Sequence, residues 1–390
     1  EKIGRFTFLV SPGAFLQVGK QTGIGYITGG IEVYRDEVSS DAHFRNRTTG
    51  ARTYFERGPI ADDATYSQMG VYLQDEFTVG IVDIVPGLRF SRIEVDAGQV
   101  DNIDGDAFVI DSFEDDYSAV TGSLRFVVHV EEHWNAIAGW GMGFRAPSLN
   151  DLTSFRLQLN QSFDVPTEGL DPERFHTFDL GTRARYDDWS LDAFVFYTMI
   201  DEFIGRVPTA IPPGAPAGVT SAFAKDNLGE GYVYGFEVGA SARVLEEVTL
   251  FATWGYAKGE VDQIASAAAP FTIDEQPLGK IGPNTVRLGA RYEPKPSRLW
   301  IEGLVTVADR QSHLAFQEGL AGGSGDGQRI PGKHGTPGYT VFTLRGGYAV
   351  TENIHATVAI ENVTDKDYRV HGSGQNEPGT NAILGVDLRF

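Results

Sequence analysis

The chain has 390 residues, with 53 Asp and Glu against 32 Lys and Arg, a formal net charge of −21. That excess of acid argues against nucleic acid, whose phosphates need Lys and Arg partners. Cysteine is absent, which removes disulfides and thiolate chemistry, and no apolar run approaches the roughly 18 residues of a membrane helix.

The opening residues, "EKIGRFTFLV", lack the basic start, long apolar core and small-residue cleavage site of a secretion signal. They already read as a strand, so the chain is expected to begin in mid-protein. Period-two alternation then predicts sixteen strands, near 3–10, 13–20, 24–38, 66–79, 82–97, 116–130, 133–145, 172–187, 188–204, 230–244, 247–260, 280–293, 298–312, 338–349, 353–363 and 378–390. In "SLRFVVHV", Leu124, Phe126, Val128 and Val130 share one face, opposite Ser123, Arg125, Val127 and His129. In "NAILGVDLRF", Ala382, Leu384, Val386, Leu388 and Phe390 oppose Ile383, Gly385, Asp387 and Arg389.

Connections carry more information than strands. Tight polar turns fall at "TVGIVD" (78–83), "VEEH" (130–133), "YDDW" (186–189), "LEEV" (245–248), "PKPS" (294–297) and "VTEN" (350–353). Between them lie long segments rich in Gly, Pro and charge, near 39–65, 98–116, 146–172, 205–230, 261–280, 313–338 and 364–377. A soluble sandwich or propeller has no reason to sort its loops by end. A transmembrane antiparallel β-barrel does, with short periplasmic turns, long extracellular loops, apolar residues toward lipid and polar ones toward the lumen. The fold class expected is therefore all-β, one barrel domain over 1–390 in the bacterial outer membrane. Trp134, Trp189, Tyr256, Tyr292, Trp300, Tyr348 and Phe390, near strand ends, fit the interfacial aromatic girdles.

Three segments resemble the barrel of TonB-dependent outer-membrane receptors. "GWGMGFRAPSLNDLTSF" (139–155) is similar to the family's Gly-Phe-Arg-Ala-Pro-Ser box, and "NLGEGYVYGFEVGASARVLEEVTLFATWGYAKGEV" (227–261) to its Tyr-Gly-Phe-Glu hairpin. Residues 336–390, with "ENVTDKDY", read like its last three strands; "GVYLQDEF" (70–77) and "QRIPGKHGTPGY" (328–339) add smaller matches. The resemblance implies a barrel of about 22 strands, of which sixteen would be the C-terminal part, and a plug domain that this sequence does not show. It implies import of a scarce solute, such as an iron-siderophore, haem, a cobalamin-like compound or a glycan, with no covalent chemistry. Expected partners are outer-membrane lipid and lipopolysaccharide, the TonB-ExbB-ExbD system acting through the plug, a small-molecule or metal-chelate ligand, and the barrel assembly machinery. That machinery would read the lipid-facing aromatic terminus formed by Leu384, Val386, Leu388 and Phe390, after which the last strand would pair with the first to close the sheet. Alternative readings are a structural or docking barrel in an envelope complex and a passive porin.

Candidate sites are few. Arg145 shares the Gly141 and Gly143 face and should point inward at a strand top, toward an anionic substrate or toward carboxylates of plug or wall. His176, His313, His334 and His371 lie in or beside long loops, where imidazole ligates metal or haem, though nothing spaces them as a set. Asp101, Asp104 and Asp106 in "DNIDGD" are carboxylates of the kind Ca²⁺ takes, without the full twelve-residue spacing of a calcium loop. No Ser/His/Asp set, carboxylate pair or phosphate-binding glycine loop rises above chance, so an enzyme is not expected.

Overall fold

The computed structural model describes residues 2–46, 48–55, 58–100, 112–157, 162–212, 215, 218–264, 273–315 and 335–389. Its first half comprises β1 (Lys2–Val10), β2 (Gly13–Gln21), β3 (Tyr26–Arg45), β4 (Arg52–Phe55), β5 (Asp62–Val79), β6 (Val82–Gln99), β7 (Phe113–Glu131), β8 (Trp134–Arg145), helix α1 (Leu149–Thr153), β9 (Arg156–Leu157), β10 (Ser162–Asp164), β11 (Glu173–Arg185) and β12 (Trp189–Asp201). Then follow β13 (Ile204–Thr209), β14 (Ser221–Asn227), β15 (Gly231–Leu245), β16 (Val248–Ile264), β17 (Ile273–Pro277), β18 (Thr285–Tyr292), β19 (Leu299–Ala308), β20 (Tyr339–Ala349), β21 (Ile354–Glu361) and β22 (Asn381–Leu388).

Eighteen of these form one sheet; β9, β10, β14 and β13 form a second of four. In the large sheet, β1 and β2 lie end to end along β3, Lys2–Val10 against 37–45 and Gly13–Gln21 against 26–34. They are one wall strand broken at Pro12, not the two neighbours expected. Proline has no N–H for the ladder, although its carbonyl still accepts from Arg35 N at 3.0 Å. In the same way β4 and β5 share β3, and β17 and β18 share β16. The 18 strands therefore fill 15 positions, each antiparallel to the next.

Among the described residues β22 pairs only with β21, and β1 and β2 only with β3. Among the described residues no pairing joins β22 to β1 or β2, the two ends of a wall expected to be the C-terminal part of a larger barrel. An odd number of antiparallel positions sends the two edge strands the same way, so they cannot close as an antiparallel pair.

The short turns, including 22–25 between β2 and β3, all fall at one end of the wall and the long connections at the other. Outward residues form an apolar belt, for example Ile31, Val71, Leu73, Leu88, Phe90, Val120, Leu180 and Leu250, all exposed. On β6 the outward set from Val82 through Ile84, Pro86 and Leu88 to Phe90 covers the ~9 residues a tilted strand needs to cross hydrocarbon. Inward residues are mostly polar and paired: Glu32 bonds Arg89, His129 Nε2 lies 2.7 Å from Asp83, and Arg183 Nε 2.7 Å from Asp192. Trp134, Trp189, Tyr292 and Tyr348 are exposed, and a cluster of Tyr197, Tyr232, Tyr234, Phe236, Trp254 and Tyr256 rings the long-loop side of the belt. Trp300 departs from the girdle expected of it. Its register against Gly347 turns it inward, where Arg291 lies 4.3 Å over its ring.

Beyond Phe90 the two faces exchange chemistry without losing parity. The outward row becomes Arg92, Glu94 and Asp96, while the inward row becomes Ile93, Val95 and Ala97, all buried. Strands therefore run on into segments expected as loops: β3 to Arg45, β4 within 39–65, β6 to Gln99, β7 from Phe113 and β16 to Ile264. The inward apolar rows of β3, β5, β6 and β7 meet Ala146, Leu149, Leu152, Leu170 and Ile204 from the connections. This core stands beyond the apolar belt, where α1 and Ile204 of β13 lie over the inner face.

Candidate functional site

The site begins at the end of β8. Gly143 faces inward against Phe175, where an added Cβ would lie 3.2 Å from the ring's own Cβ, and Arg145 follows two residues on. Pro147 then ends the strand and Ser148 caps α1, its hydroxyl accepting from Asp151 N at 3.2 Å.

Asp151 and Glu173, both buried, converge on Arg145. Arg145 Nη1 donates to Asp151 Oδ2 at 2.8 Å, and Arg145 Nε donates to Glu173 Oε2. The second oxygen of Glu173 accepts from Ile204 N at 2.8 Å, while Asp151 Oδ1 pairs with Lys225 Nζ at 3.2 Å. Ser148 adds its hydroxyl at 2.8 Å and its amide at 3.1 Å to Asp151 Oδ2. Burial alone would raise the Asp151 pKa, but Lys225, Arg145 and Ser148 together outweigh it and hold the group down at about 2. Five elements, β8, α1, β11, β13 and β14, are tied by two carboxylates.

On the four-stranded sheet, Asp164 lies 2.8 Å from Arg206 Nε and 3.5 Å from Arg156 Nη2. Arg206 also sits 3.7 Å over the Phe223 ring, and burial, with the neighbouring charge of Arg156, holds its pKa below the usual value against the opposing pull of Asp164. A third junction joins 311 to 336, whose backbones exchange hydrogen bonds of 3.0 and 2.9 Å. His313 N donates to Gln311 Oε1 at 3.0 Å, and His371 Nδ1 shares a 3.0 Å hydrogen bond with Thr336 Oγ1.

Arg145 thus points inward as expected and is held by wall and loop carboxylates. His313 and His371 meet the same bridge from two connections. His176 is in β11, three residues past its start beside the long connection, and faces outward, its ring 6.3 Å from that of Trp140. His334, Asp101, Asp104, Asp106 and Phe390 lie outside the described residues. Among the described residues no three His, Asp or Glu are placed to hold a metal ion. Leu384, Val386 and Leu388 are exposed on the last strand, Leu384 by 82%.

A family model described as TonB dependent receptor-like, beta-barrel, matches residues 6–363. The chain belongs to the TonB-dependent receptors. Its fold is shared with the copper transporter OprC, at 20% identity and a TM-score of 0.79 over 100% of this chain and 58% of the other. The siderophore receptor PiuA from Acinetobacter baumannii aligns at 16% identity and 0.70, covering 98% of this chain and 56% of that one. The FrpB iron transporter from Neisseria meningitidis aligns at 16% and 0.68, covering 98% and 55%. The chain therefore spans a little over half the length of these receptors.

Within the family's boxes the structure finds residues that alternation had passed over. Asp151 stands three after Ser148, the capping spacing, and that was its one local signal. Glu173 and Lys225 had none, because their charged partners, Arg145 and Asp151, lie far from them along the chain. In "ENVTDKDY", buried Asn362 takes a positive φ of 50° and knots the β21–β22 connection. Its Nδ2 donates to Lys366 O at 2.9 Å and Pro378 O at 3.1 Å, and its Oδ1 accepts from Lys366 N at 2.8 Å. Tyr368 of the same box lies 4.6 Å from Tyr339, linking it to the "TPGY" segment.

Proposed function

We propose that this chain is the membrane-spanning wall of an outer-membrane receptor that binds a metal ion or metal chelate at its long-loop end and admits it to the periplasm. The observation that carries this reading is the knot around Arg145, which fixes α1 and the four-stranded sheet over the inner face of the wall, above the membrane. A passive pore has no use for such a cover, whereas a receptor must present a shaped surface before it opens. The named activities of the similar receptors, for copper, iron and siderophores, favour a metal-containing solute.

On this reading a plug occupies the polar inner face and couples to TonB, ExbB and ExbD, while Leu384, Val386 and Leu388 contribute to the signal read during barrel assembly. The test is uptake of radiolabelled copper, ferric siderophores and haem by cells with and without the full-length gene, each with TonB present or deleted. Uptake that needs both the gene and TonB is expected for one of these solutes. Ion conductance of the purified full-length protein in planar bilayers, with uptake indifferent to TonB, would instead make it a porin.

A further inference from the structure

The chain has three methionines, and two of them flank one imidazole. His176 on β11 stands opposite Met142 of β8 on one side and opposite Met199 of β12 on the other, and all three side chains lie on the outer face. Directly opposite side chains on adjacent antiparallel strands stand roughly 5 Å apart at Cβ. A methionine, unbranched and with three rotatable bonds, spans that gap and can bring its sulfur to the edge of the ring between the two.

The row sits at a boundary. On its short-turn side Trp140, Phe178 and Tyr197 share a register line, and on its long-loop side Phe144, Arg174 and Asp201 share the next. Aromatic side chains thus give way to the first charged outward residues one step higher, so ions reach the row from the long-loop end. Met199 is exposed, and Met142 and His176 are half-buried. The His176 ring stacks on Trp140, with centroids 6.3 Å apart and planes 26° from parallel, and among the described residues neither ring nitrogen takes part in a hydrogen bond. An imidazole oriented by stacking, with a thioether on each side, supplies one nitrogen and two sulfur donors.

We propose that Met142, His176 and Met199 bind a soft monovalent cation, Cu(I), through one imidazole nitrogen and both thioether sulfurs. Thioethers select Cu(I), and imidazole suits copper as well, whereas ions that prefer carboxylate or carbonyl oxygen find no such donor among these three side chains. The ion would tie β8, β11 and β12 together from outside. This inference needs only the register of the wall and goes beyond the transport reading, whose binding surface lies over the inner face.

The test uses the full-length receptor in detergent, folding checked by heat-modifiable gel mobility, with NMR of isotope-labelled methionine methyl groups. Signals are assigned with Met69→Leu, Met142→Leu and Met199→Leu, swaps that nearly conserve volume. Ag(I), a redox-inert stand-in, is titrated to excess, and the titration is repeated with Cu(I) kept reduced by ascorbate. The Met142 and Met199 methyl signals are expected to shift together while Met69 stays still, and Zn²⁺ should move none of them. His176→Phe, which keeps a ring against Trp140, should abolish the joint shift, and either Met142→Leu or Met199→Leu should weaken binding about tenfold. Methyl signals that stay still in excess Ag(I), a joint shift that survives in His176→Phe, or an equal response to Zn²⁺ would each overturn the site. TonB-dependent uptake judges the transport reading separately, since none of these substitutions alters Arg145, Asp151, Glu173 or Lys225.

Discussion

Lys225 Nζ lies 3.2 Å from Asp151 Oδ1, and through this contact β14 is fastened to α1 and on to Arg145 at the end of the wall. Replacing Asp151 by Asn leaves Arg145 one carboxylate short and Lys225 without its ion-pair acceptor. The loss of a buried charge with two cationic partners should cost about 3 kcal/mol. It should appear as faster amide exchange and proteolysis across 146–172 and 202–230, with the membrane-spanning ladders unchanged. Unaltered exchange in those connections would mean that the knot does not hold them.

The same carboxylate sets an acid limit. Asp151 is held at about 2 in the folded state, below its ordinary value of roughly 3.9. Its contribution is fully present above roughly pH 4 and is lost as pH falls toward 2. Titration from pH 5 to 2, followed by protease sensitivity of the long connections, should show an opening step in wild type. The Asp151→Asn protein should show that opening already at pH 5, with no further step from this group.

Asn362 closes the connection between β21 and β22. Asn362→Ala removes three side-chain hydrogen bonds and places alanine at a φ of 50°. A loss of about 2–3 kcal/mol is expected, read as faster exchange of the Lys366 and Thr380 amides. Asn362→Gly, which keeps the backbone freedom, should recover only part of it.

Gly347 makes room for Trp300. A Cβ on residue 347 would come within 2.3 Å of the indole nitrogen, so Gly347→Ala should displace the ring from beneath Arg291. The expected penalty is about 1–3 kcal/mol, with a red shift of Trp300 emission in a variant retaining only that tryptophan. Wild-type emission and stability would place Trp300 outside the inner face.

The belt also has a measurable edge. Leu88→Arg puts a charge in the apolar row and should cost about 2–4 kcal/mol in vesicle-inserted full-length protein. Ser118→Arg, outward but level with Arg92, should cost about 0–1 kcal/mol by the same urea unfolding. Equal penalties would mean that the hydrocarbon boundary does not fall between Phe90 and Arg92.

Alternation and the sorting of short and long connections were legible in the residues themselves. Neighbours two apart in a strand share a side whatever the rest of the chain does, and "YDDW" or "VEEH" needs no distant partner to turn. The boxes at 139–155 and 336–390 likewise carried the family. Alternation, however, has no absolute phase. In "LWIEGLV" both sides hold apolar residues, so only pairing with β20 could show that Trp300 joins Glu302 inside. Nor does it reveal that the two sides exchange chemistry above Phe90, because that exchange makes sense only once α1 and the four-stranded sheet return to cover the inner face. Register placed β1 and β2 end to end on one neighbour. The surroundings of Arg145 were decided the same way: Asp151 and Lys225 join Glu173 of β11 at one point because two connections fold back on the wall, and proximity of that kind is a property of the tertiary structure alone.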